Sequence, residues 1–290
     1  MSIANIVIID RTKEVDPNFL SSAAQALNIQ VTQHLPKYWT GISASVTSAP
    51  SIGGLPGNSW PVFLVKTLPP GEGGFHMDKH NQPYAKVIAT PGDSSWTIDA
   101  SHEIVEMLVD PYGNRMQTSQ AIAIQGDGVF DARGTFDYLV EACDPCEAND
   151  FAYEIDGIEV SDFITPDFYA AAARPGIQYS YMGSITRPRQ LLKGGYISYI
   201  DSGGKWRQIL WVDPGRPPTY NDLQVASASR SWREAVHSVM GVEATRAKFA
   251  QRRKPGGLNE TIRSRLEQRR AREPEHYEAA LRERRGWTVD

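Results

Sequence analysis

Apolar and polar positions along the chain change period several times, which predicts an alternation of strands and helices. Residues 5–9 are a β-branched run that fits a buried strand, and residues 17–27 carry Phe19, Leu20, Ala23, Ala24 and Leu27 at helical spacing. Residues 41–46 alternate in strand fashion; residues 60–65 form a further strand after the turn-forming Gly53-Gly54-Leu55-Pro56-Gly57, and residues 85–89 a short one. The breaker Pro91-Gly92-Asp93 then precedes a helical pattern over residues 96–110, so the order is β-α-β-β-β-α. Downstream, residues 153–161 read as strand around the turn Asp156-Gly157, and residues 196–200 with 206–211 as a hairpin around Asp201-Ser202-Gly203-Gly204. Residues 73–80 are polar and Gly-rich and read as a loop, whose His76 or His80 could touch a metal although exposed loop histidines are commoner than ligands; residues 126–134, with Asp127 and Asp131, read as a solvated loop without calcium-binding spacing.

The helix over residues 96–110 carries chemistry. Its apolar residues Ile98, Val105, Leu108 and Val109 imply burial, yet His102, Glu103 and Glu106 are set among them. Buried histidine and glutamate must be paired or bound to metal. Residues four apart share a helix face, so His102 and Glu106 project together, with Glu103 beside them. That is the H-E-x-x-H arrangement of zinc hydrolases with a carboxylate in the second ligand position, which zinc accepts much as it accepts imidazole.

A catalytic zinc takes three protein ligands and leaves one position open. Three acids are candidates for the third: Asp110, four residues beyond Glu106 but followed by the helix-ending Pro111, and the pair Glu141 and Asp144 in an apolar segment. Cys143 and Cys146, in the same segment, form a C-x-x-C with no second pair to complete a zinc knuckle, which leaves a local disulfide or two buried thiols.

The β-α-β-β-β-α order ending on a metal-binding helix resembles the N-terminal half of zincin metallopeptidases. The blocks Ser101-His102-Glu103-Ile104-Val105-Glu106-Met107-Leu108-Val109-Asp110-Pro111 and Glu141-Ala142-Cys143-Asp144-Pro145-Cys146 together are similar to those of a set of phage and bacterial zincin-type proteins, over about residues 1–215. The resemblance implies an α+β fold: a zincin-like mixed sheet with an active-site helix in residues 1–111, and a subdomain over 112–226 that supplies a third ligand. It implies zinc, or another divalent metal, on His102, Glu106 and one of Asp144 or Glu141, with Asp144 preferred and the other acid bracing a ligand. Glu103 would act as general base on a metal-bound water in peptide or amide hydrolysis, on a peptide or protein substrate. Residues 85–89 would be the sheet edge along which substrate lies. A tyrosine from the second half, Tyr153, Tyr179 or Tyr181, would stabilise the oxyanion. The alternative is a non-catalytic structural or interaction protein, a phage particle or effector component, on the same scaffold; a carboxylate at position 103 favours the enzyme.

Composition and charge add limits. The chain has 290 residues, 41% of them hydrophobic, enough for a substantial core. No apolar run approaches the roughly 18 residues needed to cross a bilayer, and the N-terminus lacks a basic leader and reads as strand, so a soluble, cytoplasmic or phage-associated protein without a signal peptide is expected. Residues 227–290 hold fifteen Lys and Arg against nine Asp and Glu, whereas the remainder holds fifteen against twenty-five. This stretch reads as a basic helical tail, a solvated arm or a docking element for a protein partner; the acidic body argues against nucleic acid.

Overall fold

The computed structural model describes residues 3–69, 73–213, 215–225 and 231–239. Strand β1 (Ala4–Asp10) is followed by helix α1 (Pro17–Ile29), which Asp16 caps by accepting from the backbone N–H groups of Asn18 and Phe19 at 3.0 and 2.9 Å. Then come β2 (Ala44–Ser48), β3 (Ser59–Val65), β4 (Gly74–Lys79), β5 (Gln82–Ile88) and helix α2 (Trp96–Val109). The five strands form one sheet in the order β2-β1-β3-β5-β4; β4 alone runs antiparallel. Ile6, Val7, Ile8 and Ile9 are all buried, as expected of a parallel strand covered on both faces.

The segment 73–80, expected as a loop, is instead strand β4. His80 and Asn81 both take left-handed backbone conformations, with φ of 56° and 61°, and make the two-residue turn of a β4–β5 hairpin. The hairpin also moves the sheet edge. Residues 85–89 were expected at the edge, but β5 lies between β3 and β4, and β4 is outermost.

A second sheet contains β6 (Met116–Gln125), β7 (Gly128–Leu139), β10 (Tyr196–Ile200), β11 (Trp206–Leu210) and β12 (Thr219–Asp222) in the antiparallel order β12-β11-β10-β7-β6; β8 (Tyr153–Ile155) and β9 (Ile158–Val160) pair by themselves. Residues 126–134 are therefore largely hairpin rather than open loop. Asp131 is engaged by the buried Arg189, whose Nε and Nη2 lie 3.0 and 2.9 Å from its two carboxylate oxygens. The chain as described is an α+β protein, and no helix among the described residues is long and apolar enough to cross a membrane.

Helix α2 packs on β4, β5 and β9. Every one of its residues except Asp99 is buried, because the first sheet covers one side and β9 the other. Thr97 Oγ1 donates to the Glu159 carbonyl at 2.7 Å, and Ser101 Oγ accepts from the Ser161 N–H at 2.6 Å. The helix stops at Asp110, before Pro111.

The described part of residues 227–290 includes helix α3 (Trp232–Val239), started by Ser231, whose Oγ accepts from the Glu234 N–H at 3.0 Å. The helix docks on the turn after α2: the Arg233 N–H reaches the Gly113 carbonyl at 2.9 Å, and the Trp232 N–H reaches Asn114 Oδ1 at 3.0 Å. Gly113 has φ +61°, and a Cβ there would lie 2.4 Å from that of Arg233. Gly113→Ala is thus expected to shift α3 and lower stability by about 1–3 kcal/mol, from backbone strain and overpacking; a melting temperature equal to that of the unaltered protein would contradict this. The rest of the proposed tail, residues 240–290, lies outside the described residues.

Candidate metal centre

His102 and Glu106 meet as their spacing predicts, with Nε2 and Oε2 3.2 Å apart. The other Glu106 oxygen, Oε1, accepts from the Cys143 N–H at 3.0 Å, which fixes the carboxylate with Oε2 toward the imidazole. Burial would raise the Glu106 pKa, but the charge and hydrogen bond of His102, with Arg233 and His76, outweigh it and hold the carboxyl well below the usual range.

Asp144 also reaches the imidazole, with Oδ1 3.2 Å from His102 Nε2. It sits in a tight turn over Asp144–Cys146, closed by the Cys146 N–H on the Cys143 carbonyl at 3.0 Å and held by the Leu192 N–H on the Pro145 carbonyl at 3.0 Å. Gly195 runs so close that a Cβ would lie 2.4 Å from the Asp144 carbonyl oxygen, so a side chain there would push the turn out of place. Zinc bonds of about 2.0–2.1 Å in a tetrahedron set ligand atoms about 3.3 Å apart; the two His102 separations match that edge, while His102, Glu106 and Asp144 do not together form one of the groups whose donor atoms all lie within 4.8 Å of one another.

Glu141 joins the same cluster through Arg233. Its Oε2 is 2.6 Å from Arg233 Nη1, which also stands 3.6 Å from Glu106 Oε2 and 4.0 Å from Asp144 Oδ2. Burial and the neighbouring Glu106 and Asp144 carboxylates push the Glu141 pKa well up against the pull of Arg233. Burial acts to lower that of Arg233, but Glu141, Tyr196, Glu106 and Asp144 prevail and keep the guanidinium charged.

Residues outside the expected ligand set also reach the cluster, among them His76, one of the two histidines that could have touched the metal. His76 is buried on β4, its Nδ1 3.1 Å from Glu103 Oε2 and 3.6 Å from Glu106 Oε2. Gly74, two residues earlier, leaves the room that Glu103 occupies: a Cβ there would be 3.0 Å from Glu103 Oε1. Arg233 comes from α3. The pKa of Tyr196, on β10, is pushed up by burial and then by Asp144, and that of Tyr169 by burial and then by Glu141. The tyrosines named from sequence have other partners: Tyr153 OH is 3.0 Å from His34 Nδ1, Tyr179 OH accepts from the Arg174 N–H at 2.7 Å, and Tyr181 stacks on His34.

Asp110 is also outside the cluster; its carboxylate accepts from the Asn114 and Arg115 N–H groups at 3.1 and 2.7 Å and braces the turn that receives α3. His80 is exposed in its turn. Cys143 and Cys146 are both free and buried, and burial raises both thiols well above their ordinary pKa.

Four overlapping groups could each hold a metal ion, with ligand atoms mutually within 4.8 Å: His102, Glu106 and Cys143; His76, Glu103 and Glu106; His102, Asp144 and Glu147; and Glu106, Glu141 and Asp144. Glu106 Oε2 and both carboxylate oxygens of Glu141 and of Asp144 are buried and receive no well-formed hydrogen bond among the described residues. Imidazole and carboxylate donors with such atoms fit a divalent cation. A cleft bordered by Gly74, Ile98, Asp99, Glu103 and Glu147 leads to the cluster. Comparison with protein-family models, curated proteins and solved structures finds no match.

Proposed function

We propose that this chain is a metal-dependent peptidase or amidase on a zincin-like scaffold, zinc being the metal that the donor set suits best. The observation that carries this reading is the charge balance of the cluster. Glu103, Glu106, Glu141 and Asp144 are each at most 5% exposed, and Arg233 is shared by three of them, Glu106, Glu141 and Asp144. Buried carboxylates in such excess require counter-charge. His102, Glu106 and Asp144 would hold the metal, while Glu141 is occupied by Arg233 and positions it.

The metal, when bound, supplies Lewis-acid polarisation of a substrate carbonyl and lowers the pKa of water at the site. Glu103 faces the cleft beside Gly74 and would take the proton of the attacking water and pass it to the leaving amine. His76, hydrogen-bonded to Glu103, sets the direction of its carboxylate. The edge position of β4 supports an extended peptide as substrate, since a chain pairing with that edge would run past Gly74 and Glu103.

A peptide-library screen tests the reading. Protein loaded with zinc is expected to cleave, chelation to stop cleavage, and restored zinc to recover it. Absence of cleavage in every state, with zinc bound, would overturn the enzyme reading in favour of a non-catalytic scaffold.

A further inference from the structure

We infer a second, weaker cation position beside the first, formed by His76, Glu103 and Glu106, whose filling takes up the general base; this rests on the reading of a metal at His102 and Glu106. The sites share Glu106. Its Oε2 has His102 Nε2 at 3.2 Å and His76 Nδ1 at 3.6 Å, and Glu103 Oε2 lies 3.1 Å from His76 Nδ1. The three donors are mutually within 4.8 Å and come from two elements, β4 and α2, held together by packing. His102 and Asp144 belong to the first position, so one imidazole and one carboxylate remain for each cation in addition to the shared glutamate.

Charge argues in the same direction. Glu103, Glu106, Glu141 and Asp144 are all buried, and of these Arg233 contacts Glu106, Glu141 and Asp144, so the corner at Glu103 lies on the side of the cluster away from the guanidinium contacts. Glu106 Oε2, which faces this corner, is buried and lacks a well-formed hydrogen bond among the described residues, so the corner is not saturated by its own contacts. Binding there must break the 3.1 Å hydrogen bond between His76 and Glu103 and also set a second dication against the charge of the first, with which it shares Glu106. The second cation should therefore enter only at higher metal concentration. Once in place it occupies a Glu103 oxygen that would otherwise accept a proton, and excess metal becomes an inhibitor.

Equilibrium dialysis of the full chain against rising zinc, with elemental analysis, reads both positions without an activity assay. The unaltered protein is expected to bind one tight equivalent and then a weaker second. His76→Gln should keep the tight equivalent and lose the second. Glu103→Gln, altering the same position from the helix, should do likewise and guards against a folding defect in one variant. Saturation of the unaltered protein at one equivalent, or a second equivalent untouched by both substitutions, would overturn the second position and leave the first intact. Absence of any tight equivalent would instead remove the first position and this inference with it.

Discussion

Arg233→Met is expected to destabilise the protein by about 3–5 kcal/mol in the absence of added metal, the usual cost of leaving buried charges without their partner. The methionine roughly fills the volume, so the loss is electrostatic. Three carboxylates, those of Glu106, Glu141 and Asp144, lie within 4.0 Å of Arg233 Nη1 and would face one another. The penalty has a defined pH dependence. Burial already places the Glu141 pKa above its unfolded value, and removal of Arg233 raises it further. A carboxyl with a raised folded pKa binds a proton more readily in the folded state, so its contribution to stability is fully present below the unfolded pKa of about 4.3. It is lost as pH rises through the folded value.

The variant should therefore be closest to the unaltered protein in acid and furthest from it in alkali. Chemical denaturation at several pH values checks this. The double variant Arg233→Met/Glu141→Gln should recover much of the loss, because the pair is removed together. A single variant as stable as the unaltered protein at pH 8 would show that Arg233 does not neutralise this cluster.

The contrast between Arg233 and His102 shows where sequence was informative. His102 and Glu106 are four apart on a helix, so their meeting follows from helix geometry alone, and the apolar residues around them predict their burial. Asp144 could be narrowed to one of two acids because it lies in a short apolar segment. His76 and Arg233 meet the cluster through pairings that local pattern does not encode. His76 depends on a β4–β5 hairpin whose turn residues are His80 and Asn81, without the glycine that usually marks such a turn. Arg233 is 127 positions from Glu106, in a stretch whose composition suggests a solvated arm. A signal was nevertheless present there: Ser231-Trp232-Arg233-Glu234 has the S-x-x-E spacing of a capping box. The Gly74-x-His76 spacing likewise puts both residues on one strand face, although nothing local shows that α2 lies beneath it.

Glu103→Gln is expected to lower the rate of peptide cleavage by about 10²–10⁴-fold while leaving the tight zinc equivalent in place, the range typical of a lost general base. Glutamine keeps the shape of the side chain, which matters because Gly74 leaves little spare room: a Cβ there would be only 3.0–3.2 Å from Oε1 and Cγ of Glu103. Its amide oxygen can still accept from His76, so position and packing are preserved and proton acceptance is what disappears. His102→Ala provides the opposite profile, with zinc and cleavage lost together. Gly74→Ala is a third comparison, since crowding Glu103 should reduce turnover without removing its carboxylate. Single-turnover cleavage of a peptide found in the library screen, with zinc content measured on the same samples, separates these outcomes. Equal cleavage by Glu103→Gln and the unaltered protein would take the general-base role away from Glu103. Loss of the tight zinc in that variant would place Glu103 among the ligands of the first metal instead.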